Sequence, residues 1–97
     1  MRWVVIFEDL PVMTKVRLDY EAHHFAYLRE NQAEILLAGG LRESPDSPFG
    51  GGLWILAPMP RECAIRLVEQ DPYFVHSKRN YKLLQWGKAL PEISVTL

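Results

Sequence analysis

One cysteine, Cys63, in 97 residues leaves no partner for an intrachain disulfide and fits a reducing compartment. Basic excess is also missing. Eleven Lys and Arg stand against twelve Asp and Glu, a net charge of −1, so the electrostatic footprint of a nucleic-acid binder is absent. No apolar run approaches the roughly 18 residues of a membrane span. The opening MRWVVIFED meets Glu8 and Asp9 too early for a signal h-region. There is no CxxC or HExxH, so no familiar zinc spacing is present. The run Gly50-Gly51-Gly52 lacks a following Lys-Ser/Thr and leads into a strand, which excludes a phosphate loop. The expectation is a single cytoplasmic domain over residues 1–97, with no cofactor, metal, nucleic-acid or membrane partner implied.

The order of elements is legible. Trp3–Phe7 is short, β-branched and aromatic, a strand. Pro11 interrupts it, and Thr14 is placed to cap a helix from Lys15 to about Asn31. Leu18, Ala22, Phe25 and Leu28 recur with helical spacing, predicting one buried stripe, with Arg17, Tyr20, His24 and Tyr27 in a row beside it. Ala33–Gly40 reads as a second strand, residues 41–52 as a long loop and Leu53–Ala57 as a third strand. Pro58 and Pro60 open a helix over Arg61–Gln70 whose apolar face carries Cys63, Ala64, Leu67 and Val68, so Cys63 reads as a buried structural thiol. Asp71-Pro72 ends that helix. A turn or short helical segment over Tyr73–Asn80 and a fourth strand, Tyr81–Trp86, follow, and residues 91–97 form a tail or extra edge strand.

This is β-α-β-β-α-β, an α+β ferredoxin-like plan with a four-stranded antiparallel sheet. Its strands are apolar on both faces: Trp3, Val5 and Phe7 alternate with Val4 and Ile6, and Leu53 and Ile55 with Trp54 and Leu56. Two helices cover one face. The other requires a cover, and a second copy of the chain, sheet on sheet, predicts a homodimer.

EAHHFAYL, residues 21–28, places two histidines side by side on the first helix. Adjacent helical positions diverge by about 100°, so only one can face a given site, and the two cannot chelate together. His24 lies seven residues after Arg17 and returns to nearly the same face, whereas His23 points away. Asp71 closes the neighbouring helix at a similar height, about 15 Å along the axis. A carboxylate beside a histidine fixes its tautomer and makes a general base or acid. The competing reading makes His24 a packed residue, Asp71 a turn former and Tyr73 ordinary core. Spacing alone leaves both open.

The stretch from Arg17 to Leu28, Ala38-Gly39-Gly40 after the second strand, Gly52 before the third, Asp71-Pro72-Tyr73 and Gln85-Trp86 together resemble the YCII-like family, across roughly residues 3–88. Glu21, Ala33 and Gly40 stand where that family more often has arginine, glycine and proline. The resemblance implies a dimeric α+β barrel and a His-Asp active site at His24 and Asp71. Arg17, Tyr73 and Gly40 are expected at the pocket, with Arg17 available to hold a carboxylate. The resulting expectation is a homodimeric enzyme performing acid/base chemistry on a small cyclic organic ligand: isomerisation, elimination or lactone-type hydrolysis. The alternative is a non-catalytic ligand-binding or regulatory module of the same fold.

Overall fold

The computed structural model describes all 97 residues. Its central strand β1 (Arg2–Glu8) pairs antiparallel with β3 (Gly51–Leu56) on one side and β4 (Asn80–Trp86) on the other. Strand β2 (Ile35–Leu41) pairs with β3, so the order across the sheet is β2-β3-β1-β4. Helices α1 (Met13–Glu30), α2 (Arg61–Glu69) and the short α3 (Pro72–Ser77) complete the α+β plan.

Side chains alternate across the strands. Trp3, Val5 and Phe7 join Ile35, Trp54 and Leu56 under Ala64, Leu67 and Val68 of α2 in the main core. A smaller cluster of Met13, Val16 and Tyr73 fastens α1 to α3. Val4 and Ile6 face the other way, opposite Ile55, Leu53 and Leu84 in register. Leu37, Leu84 and Trp86 on that outer face stay about half exposed (53%, 50% and 52%), a larger apolar surface than an open antiparallel sheet normally shows water.

Element boundaries depart from the sequence expectations by at most three residues, and three features differ in kind. Thr14 is not the cap. Val12 stands at the N-cap and has no side-chain group for a cap bond; the turn at Pro11-Val12 leads into the helix at Met13 and puts Thr14 inside it. The stripe Leu18-Ala22-Phe25 faces outward, Leu18 being 81% exposed, and the buried row is instead Met13, Val16 and His24, with Arg17, Tyr20 and Tyr27 half-buried. That row goes inside despite its polarity because its polar atoms meet partners there; Tyr27 donates its hydroxyl to Leu67 O at 2.6 Å. Cys63 is half-buried. Of the two readings of residues 91–97, they form the tail and not the edge strand: they turn at Pro91, leaving Ile93, Val95 and Leu97 about half exposed.

The Asp71-Pro72 junction matters most for the site. Asp71 takes an extended backbone (φ −63°, ψ 131°), the region that a following proline favours. Pro72 then begins α3, and the Asp71 side chain makes no cap bond to that helix. Its carboxylate is left free to turn toward α1.

Candidate active site

His24 is carried on the middle of α1 and Asp71 at the start of α3, 47 residues apart in the chain. Nδ1 of His24 lies 2.6 Å from Oδ1 of Asp71, and both side chains are almost wholly buried. An ionised carboxylate only accepts, so Nδ1 is the donor, and in the neutral ring Nε2 keeps its lone pair. No protein group hydrogen-bonds Nε2, and His24 lines an open pocket of about 350 Å³. The ring of Tyr73 stacks on the imidazole at 3.8 Å between centroids and 9° between planes, holding its orientation. Burial raises the Tyr73 hydroxyl above its ordinary value, offset in part by the nearby Arg17.

A second layer of charge surrounds the pair. Asp9, just past β1, accepts from Arg17 Nη2 at 2.9 Å and from Arg79 Nη1 at 3.3 Å. Arg17 also donates to the carbonyl of Gly51 at 3.1 Å. Arg79, 2% exposed, lies over the Phe7 ring at 3.9 Å, and its Nη2 is 3.9 Å from Asp71 Oδ2. That last separation suits an ion pair but is too long for a hydrogen bond. Burial pulls the Arg79 guanidinium below its ordinary value, while Asp9 and Asp71 pull it back up.

The pocket wall is partly backbone. A Cβ on Gly40 would meet the Phe49 ring at 2.5 Å, so glycine there lets Phe49 close over the site, where Arg17 lies 5.0 Å from its centroid. Gly52, Trp54, Phe25 and Leu28 complete the apolar part. A larger and shallower hollow of about 550 Å³ lies against the 42–50 loop, but neither His24 nor either buried guanidinium reaches it.

All five residues expected from sequence therefore converge: His24, Arg17, Tyr73 and Gly40 line one pocket, and Asp71 stands behind His24. His23 and His76 are exposed, the latter stacked on Tyr20 at 3.6 Å, outside the pocket. Asp9, Arg79, Phe49 and Trp54 were not foreseen as site residues. Arg79, in the run Ser77-Lys78-Arg79-Asn80, reads in sequence as a solvated loop charge, and only the turn through Lys78 (φ 54°) carries it inward.

Residues 1–87 match the YCII-related domain. The chain belongs to that family. This YCII-related domain also resembles two solved structures in fold. One is the 5-chloro-2-hydroxyhydroquinone dehydrochlorinase TftG from Burkholderia phenoliruptrix, in complex with 2,5-dihydroxybenzoquinone. It aligns with a TM-score of 0.75 and 24% identity over 90% of this chain and 94% of that one. Another is SnoaB, a cofactor-independent oxygenase from Streptomyces nogalater, with a TM-score of 0.52 and 15% identity over 94% and 96% of the two chains. At these identities the likeness establishes the fold. No curated protein sequence matches the chain. No helix is long and apolar enough to cross a membrane.

Proposed function

We propose that this YCII-related domain is a small homodimeric enzyme in which His24, oriented by Asp71, moves a proton on a small cyclic organic substrate. One observation carries the reading: a buried imidazole whose Nδ1 is held at 2.6 Å by a carboxylate and whose Nε2 has no protein partner at a pocket wall. In that arrangement Nε2 takes a proton from a substrate C–H or O–H. Asp71 stabilises the cation that forms, and Nε2 returns the proton elsewhere on the ring or as a leaving group departs. A proton removed and returned gives isomerisation; a proton and an anion removed give elimination. The pocket has room for a compound of ring size and offers aromatic and glycine walls for a flat one. The fold's likeness to a dehydrochlorinase of a hydroxylated ring agrees with this substrate class.

The homodimer follows from the outer sheet face. A row of aliphatic side chains with Trp86 is matched by a second copy of the same face, sheet on sheet.

The test uses α-angelica lactone, which isomerises by one proton abstraction and one return, and chlorinated hydroxyhydroquinone, which releases chloride. In D₂O, NMR follows protein-dependent ring-proton loss and isomerisation, and an electrode follows chloride. Wild type should accelerate at least one reaction, and His24→Gln and Asp71→Asn should each lower that rate by about 100-fold or more while still folding. Equal rates in wild type and His24→Gln would leave the binding-module reading in its place.

A further inference from the structure

We propose that Arg79, assisted by Arg17, forms a subsite for an acidic oxygen on the substrate ring, next to the histidine that takes the proton. The substrate class narrows to cyclic compounds with a hydroxyl or carbonyl oxygen that holds negative charge once a proton has left. This rests on the reading of His24 as the base.

Unmet hydrogen bonding points there first. A guanidinium has five N–H donors. Arg79 is 2% exposed, yet its one hydrogen bond from the side chain to protein is the 3.3 Å contact with Asp9. Its Nε is buried with no partner, as is Nε of Arg17. Buried donors are normally satisfied, and leaving several unmet on a cation is expensive. The protein's own acceptors do not reach these donors: Asp9 is shared between both guanidinium groups, Asp71 Oδ1 holds His24, and Asp71 Oδ2, itself without a hydrogen-bond partner, stops 3.9 Å from Arg79 Nη2. The open side of Arg79 is the pocket it lines with His24.

Rigidity points the same way. Arg79 lies 3.9 Å from the Phe7 centroid and 5.5 Å from that of Tyr73, the ring that also stacks on His24. The cation and the base therefore share an aromatic support, and neither swings freely. Donors fixed where charge develops stabilise it without reorganisation at the moment of reaction.

Charge balance gives the third reason. With His24 neutral, Arg17 and Arg79 offset Asp9 and Asp71. When Nε2 accepts a proton, the buried cluster gains one positive charge, and the electron pair left on the substrate delocalises onto its oxygen. An oxyanion at Arg79 restores the balance inside the pocket. Glu21, exposed at the rim, disfavours placing that anion further out.

The probe is 4-nitrocatechol, whose visible spectrum separates the protonated from the ionised ring, with its fully methylated counterpart as the control that cannot ionise. Wild type should bind the ionised probe more tightly than the control by about tenfold or more, the scale of one charge-assisted hydrogen bond. Arg79→Gln should erase that preference and leave control binding unchanged. Arg79→Lys, which keeps a charge against Asp9 and Asp71 and guards against misfolding, should retain part of it. His24→Gln should keep the preference while losing turnover, so failure of the base reading shows as undiminished turnover in that variant. The oxyanion subsite is overturned if wild type shows no preference for the ionised probe, or binds neither compound. Unchanged preference in folded Arg79→Gln or Arg79→Lys overturns it equally.

Discussion

Replacing Asp71 by alanine removes the acceptor of His24 Nδ1 and one of two carboxylates near Arg79. The Asp71 side chain is wholly buried, so water does not take its place at the 2.6 Å contact. A buried imidazole N–H left without an acceptor costs about 1–3 kcal/mol. Breaking a buried ion pair costs about 3–5 kcal/mol, but here the charges are 3.9 Å apart without a hydrogen bond and Arg79 keeps Asp9, so only part of that applies. Together these give a loss of about 3–4 kcal/mol for Asp71→Ala. Asp71→Asn keeps an oxygen for Nδ1–H and the local volume. It exchanges a charge-assisted bond for a neutral one and should cost about 1–2 kcal/mol. The assay is urea denaturation of both variants and wild type at one protein concentration, reading the midpoint shift at constant slope. Asp71→Ala should unfold well before Asp71→Asn, by about 2 kcal/mol. If the two variants lie within about 0.5 kcal/mol of each other, the His24 contact contributes no distinct stability and the account of the pair is wrong.

Other perturbations have equally definite outcomes. A Cβ at Gly51 runs into the backbone carbonyl of Phe7, whereas one at Gly50 meets nothing within 4 Å. Gly51→Ala should therefore lower stability by about 1–3 kcal/mol in a melting experiment and Gly50→Ala by far less. Burial, with the field of Asp71, pushes Tyr27 up to about 12, and burial with the Glu69 hydrogen bond pushes Tyr81 up to about 12. Both lie above the ordinary tyrosine value of 10.0, so the folded chain holds these protons longer, and their stabilisation, full below pH about 10, is lost as pH rises toward 12. Tyr27→Phe should flatten that alkaline loss, read as the denaturation midpoint against pH. Lys78 occupies the left-handed region (φ 54°), so Lys78→Gly should gain about 0.5–1 kcal/mol; a loss would mean that its place over the Phe74 ring outweighs the strain. The homodimer is checked by light scattering at micromolar concentration, where a monomer would contradict the sheet-on-sheet arrangement.

Element order along the chain and the two-faced sheet were readable because Trp3–Phe7 and Leu53–Leu56 are short, unbroken apolar runs set between turn residues. Helical geometry put Arg17 and His24 on one row and left a His24–Asp71 pair open; the resemblance to the YCII-like family is what selected it. The inner face of α1 was misread for a physical reason. Leu18 and Phe25 are the greasier residues, yet the row bearing Arg17, His24 and Tyr27 is buried, since its partners Asp9, Asp71 and Leu67 O lie in other elements. Hydrophobic periodicity cannot see such long-range satisfaction. Arg79 escaped for the same reason, 70 residues from its Asp9 partner and delivered by a single left-handed residue.

Nitrogen NMR of the His24 ring tests the central claim most directly, because the proposed base requires one tautomer. With the ring neutral, the account predicts a protonated Nδ1 coupled to its hydrogen and a bare, pyridine-type Nε2 that shifts when a ring ligand enters the pocket. A protonated Nε2 over a bare Nδ1, unmoved by ligand, would contradict it.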